Sequence, residues 1–213
     1  MNRALIVYGG WEGHDPKGMA ELFRKQLVSN GFEVVTSDTL DAFKDNDLTT
    51  FSVIIPVWTM GTITPEQLTP LLEAVRGGVG LAGVHGGMCD AFRTETEYQY
   101  MCGGQWVAHP GGDGVEYDVY MDGEPHLITD GLPTIHVKSE QYYMHVDPAN
   151  KVLATTRFGS TVMPVTWVKY YGQGRVFYCS LGHQVQVIAE PNTLTMVTRG
   201  VLWAAGFWES EKP

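Results

Sequence analysis

A buried strand that leads directly into a glycine-rich turn is the feature of this sequence that most restricts its fold. Residues 79–84 form an apolar stretch, and His85-Gly86-Gly87 follow it. Gly83-Val84-His85-Gly86-Gly87 has the spacing of a nucleophile elbow with histidine at its centre, and its glycines allow the backbone to turn sharply. Such a turn holds its central side chain at the carboxyl edge of a parallel sheet, where α/β proteins place their chemistry. Histidine there is a poor nucleophile for acyl transfer but a good metal ligand or general base.

Strands and helices alternate through the first part of the chain. Apolar runs of strand length occur at residues 4–8, 32–36 and 52–57, and apolar residues recur at helical spacing in residues 17–29 and 65–75. Strands that alternate with helices and are joined by glycine-rich turns indicate a parallel sheet with right-handed crossovers. The first half therefore predicts a flavodoxin-like α/β fold.

The pattern changes after the turn, where short strands follow one another without long helices. The sequence predicts a helix at 95–101, a glycine-rich loop at 103–114, strands at 115–121 and 151–156, a hairpin over 165–179 and a final helix at 194–205. We therefore expect a mainly parallel sheet flanked by helices, with an added antiparallel portion. The 213 residues are of ordinary size for a single domain, 1–213, with a tail at 209–213 that we expect to fray.

Composition excludes several classes of partner. The formal net charge of −10 disfavours binding to a phosphate backbone, and no cluster of lysines and arginines offsets it locally. The amino terminus lacks the length of apolar sequence that a signal peptide needs, and no stretch approaches a membrane span. The three cysteines have no metal-type or disulfide-type spacing. These features predict a cytoplasmic protein with free thiols, no nucleic-acid or membrane partner and, from general base rates, a homo-oligomeric state.

Three histidines fall immediately after predicted strands. His14 follows the first strand, His85 follows the fourth, and His183 follows the last long one. Because the carboxyl ends of parallel strands meet at one edge, the three imidazoles are expected to converge there. Convergent histidines suit zinc, iron, nickel or copper, and we expect a divalent transition metal, with zinc first. An alternative stays open, in which these are polar loop residues or helix caps with ordinary hydrogen bonds.

Other side chains are candidates for acid–base chemistry or substrate contact. His109, in the glycine-rich loop, is placed to add a ligand or an acid–base group, and Glu140 lies between predicted strands as a general base or oxygen ligand. Aromatic side chains provide apolar surfaces on which a sugar can stack, and Trp58, Trp106 and Tyr142 are the candidates for this role.

Several segments together resemble a known family. They are GLAGVHGG (80–87), GGQW with HP (103–106 and 109–110), ITDGLP (128–133), SEQY (139–142), GQGRVFY with LGH (172–178 and 181–183), and LWAAG (202–206). These segments, in this order over nearly the whole chain, resemble the trehalose-utilisation (ThuA-like) family. The resemblance implies a class I glutamine-amidotransferase-like fold, which is a relative of the flavodoxin-like fold.

The resemblance also implies what this chain does not do. Amidotransferases of that fold carry a cysteine at the elbow and complete a triad with histidine and glutamate, whereas here His85 stands at the elbow and His183 follows the strand that would deliver the triad histidine. Imidazole cannot replace a thiolate in thioester formation, so glutamine hydrolysis is not expected. The family is associated with the catabolism of disaccharides such as trehalose through 3-keto sugars.

These observations favour a metal-dependent enzyme of carbohydrate catabolism that acts on a sugar or a 3-keto-glycoside. We expect His85 and His183 to bind the metal, with His14, His109 or Glu140 completing the ligand set, and His85, His109 and Glu140 to carry the chemistry. Two alternatives remain. One is a metal-independent hydrolase that uses Glu140 and a histidine as acid and base. The other is a non-catalytic sugar-binding or regulatory module.

Overall fold

The structure is a computed structural model that describes residues 2–208, so the tail predicted at 209–213 lies outside the described residues. The strands are β1 (Arg3–Gly10), β2 (Glu33–Ser37), β3 (Val53–Thr59), β4 (Gly80–Val84), β5 (Gly104–Ala108), β6 (Val115–Val119), β7 (Ile135–Ser139), β8 (Tyr143–Val146), β9 (Lys151–Phe158), β10 (Thr161–Tyr171) and β11 (Gly174–Cys179). The helices are α1 (Pro16–Ser29), α2 (Ala42–Asp45), α3 (Pro65–Arg76), α4 (His85–Cys89), α5 (Thr96–Cys102), α6 (Val185–Ala189) and α7 (Pro191–Ala204). Single 3-10 turns occupy Glu12–His14 and Leu48–Thr50.

One seven-stranded sheet forms the centre of the fold. Its strand order is β2-β1-β3-β4-β11-β10-β9. The first five strands in this order are mutually parallel, and β10 and β9 extend the sheet in antiparallel pairing. The expectation of a mainly parallel α/β sheet with an antiparallel portion is therefore confirmed.

Helices cover both faces of the sheet, because successive residues of each buried strand point to opposite faces. In β1, Ala4 and Ile6 belong to the apolar cluster that also holds residues of α1 and α7. Leu5 and Val7 belong to the cluster on the other face, with residues of α3 and α5. Burial on both faces explains why these strands read as continuous apolar runs.

The predicted loop at 103–114 is wrong in its first half. Residues Gly104–Ala108 form β5, which pairs antiparallel with β8, about forty positions later in the sequence. Gly104 suits a crowded strand and not a loop, since a Cβ there would lie 2.9 Å from the Trp167 ring. The irregular segment therefore shortens to residues 109–114. A second antiparallel pair joins β6 and β7.

Candidate metal centre

The turn after β4 has the geometry of a strained elbow. His85 follows the strand with φ +51° and begins the short helix α4. The sequence assigned the sharp turn to the glycines that follow, but the left-handed backbone lies at His85 itself. Those glycines instead make room: a Cβ on Gly86 would lie 2.8 Å from His14 Cε1, and one on Gly87 would lie 3.2 Å from Val57 Cα.

Four side chains from distant parts of the sequence meet beside this turn. His14 ends the 3-10 turn after β1, His183 follows β11, and Glu140 lies between β7 and β8. One ligand atom from each of His14, His85, Glu140 and His183 lies within 4.8 Å of the others. His183 also has a left-handed backbone, with φ +61°. Strained backbone that the surrounding structure maintains is concentrated at functional sites in proteins.

His85 is fixed from several sides. Its Nδ1 lies 2.8 Å from the carbonyl oxygen of Ser180, which can only accept, so Nδ1 carries the proton in the neutral ring. Its Nε2 then presents a lone pair toward Oε2 of Glu140, 3.1 Å away. The Tyr142 ring stacks on the imidazole at 4.0 Å between centroids. Two atoms with lone pairs at this distance need a proton or a cation between them.

His14 and Glu140 are also oriented by neighbouring groups. Nδ1 of His14 lies 2.8 Å from the hydroxyl of Thr59, at the end of β3, which leaves Nε2 available to a ligand. The Tyr117 hydroxyl donates to the backbone carbonyl of Glu140 at 2.9 Å. Partners of this kind hold metal-binding side chains in position in known metalloproteins.

Two further ring nitrogens approach Glu140 without bonding to it. Nδ1 of His183 lies 3.3 Å and Nδ1 of His109 lies 3.6 Å from Oε1 of Glu140. Both nitrogens are buried, and neither has a hydrogen-bond partner among residues 2–208. Buried polar atoms are normally satisfied, so these two nitrogens indicate that a group is missing from the cluster.

Burial favours the uncharged forms of His14 and His85, because it lowers the pKa of each. Burial, together with His85 and His183, lowers the pKa of His14 to about 3. Burial also lowers the pKa of His85, although the contacts that a protonated ring would make with Glu140 and Ser180 act in the opposite direction. Burial acts to raise the pKa of Glu140, but the interaction with His85 and the positive charge that the neighbouring imidazoles carry when protonated outweigh it, so the carboxyl pKa falls below its ordinary value. Neutral imidazoles beside an ionised carboxylate are the protonation states that bind metal.

The residues fit a divalent transition metal. Three imidazoles and one carboxylate are a donor set that zinc and related ions accept, and a spread of 4.8 Å is close to that of ligands around one ion with bonds of about 2.0–2.2 Å. A cavity of about 20 Å³ borders His14, His85 and His183; its other lining residues are mainly apolar, and Glu140 does not line it. This volume holds one ion or water molecule, but not a sugar.

The proposed sugar-contacting residues have different surroundings. Trp106 lies beside His109 and Tyr142, with ring centroids 5.4 and 6.2 Å away. Tyr142 is only 4% exposed, and its ring stacks on the imidazole of His85. Trp58 packs against the apolar core cluster that covers one face of the sheet. Its neighbour Thr59 points to the other face, where it contacts His14. Of the three, the structure brings Trp106 and Tyr142 to the side of the cluster that His109 borders, and Tyr142 is buried there.

Two residues near the cluster were missed by sequence reasoning. Trp11 lies 4.7 Å from the His14 ring and is 44% exposed. Asp113, in the loop after β5, approaches Nε2 of His183 at 3.7 Å and accepts from the Gln184 amide. Trp11 was detectable, since it stands between the first strand and His14. Asp113 was not, because only the folding of the loop brings it to His183.

The sequence profile of the trehalose-utilisation (ThuA) family matches residues 3–204. The chain belongs to this family. Its candidate site residues, from His14 to His183, all lie within the matched region. Among proteins with curated descriptions, none matches this ThuA-family chain. Within residues 2–208, no helix combines the length and the apolar character needed to cross a membrane.

Solved structures support the same fold. A ThuA-like protein from Parabacteroides merdae matches with a TM-score of 0.81 at 18% identity, over 100% of this chain and 92% of that one. A ThuA-like protein from Bacteroides uniformis matches with a TM-score of 0.79 at 18% identity, over 95% and 91%. The β-galactosidase from Rahnella sp. R3 matches with a TM-score of 0.61 at 14% identity, over 93% of this chain but only 31% of its own. At these identities the likeness concerns the fold.

Proposed function

We propose that this ThuA-family protein is a metal-dependent enzyme of carbohydrate catabolism that acts on a sugar or 3-keto-glycoside. The observation that carries the proposal is the convergence of His14, His85, Glu140 and His183 within 4.8 Å. Family membership supports the substrate class. The histidine at the elbow argues against amidotransferase chemistry, because that chemistry needs a thiol at this position.

The four residues would hold the ion with neutral imidazoles and one carboxylate. A divalent ion bound there would supply Lewis acidity to the 3-keto oxygen and a neighbouring hydroxyl, which acidifies the adjacent C–H bond. Ser180 and Thr59 keep the rings of His85 and His14 in their binding orientation. The buried setting limits competing water around these groups.

His109 is the first candidate to move the proton, and Glu140 is a candidate through a carboxylate oxygen that does not bind the ion. The side chain of His109 is 34% exposed while its Nδ1 lies 3.6 Å from Glu140, so it touches both the cluster and the solvent side. In the proposed step, one of these two groups takes the proton from the carbon beside the ketone. The C–H electron pair then forms a carbon–carbon double bond as the glycosidic oxygen leaves and is protonated, and water adds back to that double bond.

The decisive experiment measures metal content on untagged protein by plasma mass spectrometry. We expect close to one divalent ion per chain in the wild type, loss of that ion in His85→Ala and His183→Ala, and its retention in His136→Ala. His136 is a suitable control because its exposed side chain contacts Asp118 on strand β6, away from the cluster. A wild type that stays free of metal after incubation with zinc, manganese, nickel and iron would contradict the proposal.

The metal-independent hydrolase remains as a second candidate because His85 and Glu140 are within 3.1 Å and form a possible acid–base pair. Turnover of 3-keto-trehalose that survives exhaustive chelation, yet is lost in Glu140→Gln, would favour it. The buried, unpartnered nitrogens of His183 and His109 argue for the metal instead.

The non-catalytic binding module is the third candidate. The fold matches only 31% of the Rahnella β-galactosidase chain, so a domain of this shape also occurs inside a larger protein. Calorimetric binding of trehalose without turnover of trehalose or its 3-keto derivative, with or without metal, would favour this reading over both enzymes.

A further inference from the structure

An exposed tryptophan stands at the rim of the metal-ligand cluster. Trp11 follows β1, and its ring meets the edge of His14 at 4.7 Å and approaches His183 at 6.5 Å between centroids. It remains 44% exposed. A large apolar side chain that borders a polar cluster and keeps almost half of its surface exposed has apolar surface available to a ligand.

Contacts with neighbouring backbone hold the indole of Trp11 in position. A Cβ on Gly13 would lie 2.3 Å from the Trp11 ring, so the ring packs directly on the backbone of that glycine. The Trp11 backbone N–H donates to the Thr59 carbonyl at 3.1 Å, which ties it to the strand that also orients His14. Part of the ring is therefore used in packing, while its exposed part is held in place before any ligand arrives.

The cavity that borders the histidines is only about 20 Å³ and is too small for a sugar. A sugar must therefore bind on the solvent-exposed side of the cluster. Tyr142 is 4% exposed and stacked on His85, and Trp58 is partly buried and packs toward the opposite face of the sheet from His14. A pyranose ring has an apolar C–H face and a rim of hydroxyls. Stacked on Trp11, it would turn its hydroxyls toward His14 and His183.

We propose that Trp11 is the stacking platform of a sugar subsite, which holds a pyranose ring with its oxygens toward the histidine cluster. The proposal rests on the proposed function, because it assumes a carbohydrate substrate. It adds a substrate-positioning residue, and it assigns the ring contact to Trp11 in place of Trp58 and Tyr142.

The test compares Trp11→Ala, Trp11→Phe and a matched control, Phe207→Ala. Phe207 is 47% exposed and contacts Phe32 near the start of β2, at the other end of the sheet. Binding of trehalose and of 3-keto-trehalose is measured by titration calorimetry on purified protein supplemented with Zn²⁺, and KM and kcat are measured where turnover occurs. Zinc content of each variant is measured in parallel.

We expect Trp11→Ala to weaken binding and raise KM about tenfold with kcat changed by less than about twofold, and Trp11→Phe to recover most of the affinity. Zinc content and Phe207→Ala should match the wild type. Unchanged affinity and KM in Trp11→Ala would overturn the subsite and leave the proposed function intact. A fall in kcat with zinc loss would overturn it too, as it would show Trp11 to support the ligands. Failure of the wild type to bind either sugar would instead overturn the proposed function, and the subsite with it.

Discussion

His85 combines an unfavourable backbone conformation with close packing on every side. Its positive φ costs free energy in a residue other than glycine, and burial removes its imidazole from water. The Tyr178 hydroxyl donates to its carbonyl at 3.0 Å, and Gly182 passes beside its Cβ. The surrounding structure therefore holds this side chain in one position, as a site for binding or catalysis requires.

Gly182→Ala tests that packing directly. A Cβ at Gly182 would lie 2.3 Å from the Cβ of His85, a separation that atoms cannot maintain. Because the imidazole would have to move away from Glu140, we expect the variant to lose most of its bound metal and at least about tenfold in activity, since small misplacements of catalytic groups have effects of this size. Metal content and kcat/KM provide the measurement.

Gly159→Ala is the matched control for that change. Gly159 also has a positive φ of +59°, but no atom lies within 4 Å of the position its Cβ would take. It should lose some stability through backbone strain alone and keep its metal and activity. Equal metal loss in both variants would show that general destabilisation, not displacement of His85, is responsible.

The sequence predicted that the histidines would cluster, because each follows a predicted strand. It did not predict which groups the aromatic side chains would contact. His14, His85 and His183 each follow a strand of the parallel sheet, and topology brings such ends together. The direction of Trp58 depends on which face of β3 is inward, and both faces of that strand are buried, so alternation gave no signal. Glu140 lies in the segment between β7 and β8, whose pairings with β6 and β5 are distant in sequence.

The sequence predicted the helices that depend on local signals, but it missed a strand that depends on a distant partner. The α1 and α3 helices agree with apolar residues at helical spacing and with proline at their first turns. Strand β5 was not predicted, because its partner β8 is distant in sequence and its glycine content is typical of a loop. The last helix starts at Pro191, not at 194, because Glu190 caps it.

The cap of α7 gives a prediction for stability and its pH dependence. A carboxylate oxygen of Glu190 accepts from the Thr193 backbone N–H at 2.8 Å. Although burial acts to raise the pKa of Glu190, the bonds from Thr193 and Asn192 outweigh it and hold the pKa below its ordinary value. Glu190→Ala should therefore lower the free energy of unfolding by about 1 kcal/mol at neutral pH, measured by urea denaturation.

The sign of the pH effect follows from the lowered pKa. The stabilising contribution of Glu190 is complete above the unfolded pKa and is lost as pH falls through the lower folded pKa. The difference between wild type and Glu190→Ala should therefore shrink in acid. Glu116→Ala serves as the control, because its exposed carboxylate pairs with Lys138 on the surface and should change stability little. A difference that is constant from neutral pH into acid would contradict the capping role.

The candidate metal centre joins distant segments of the molecule. His14 follows β1, His85 follows β4, His183 follows β11, and Glu140 comes from the antiparallel portion. Unfolding separates all four, so an ion that they bind together stabilises the folded state and not the unfolded chain. Metal binding should therefore be visible in the thermal stability of the whole protein, independently of any substrate.

At a free metal concentration about 100 times the dissociation constant, this linkage adds about 2.7 kcal/mol to the free energy of unfolding. For a chain of this length about 1 kcal/mol corresponds to a Tm shift of about 2–4 °C, so chelation should lower Tm by about 5–11 °C. Calorimetry with and without chelator, followed by restoration with Zn²⁺, measures the shift. His136→Ala should show the full shift, whereas His85→Ala, which lacks a ligand at the elbow, should show little or none. An identical shift in His85→Ala would locate the stabilising ion elsewhere, since the cluster cannot lose its elbow imidazole and keep the same affinity.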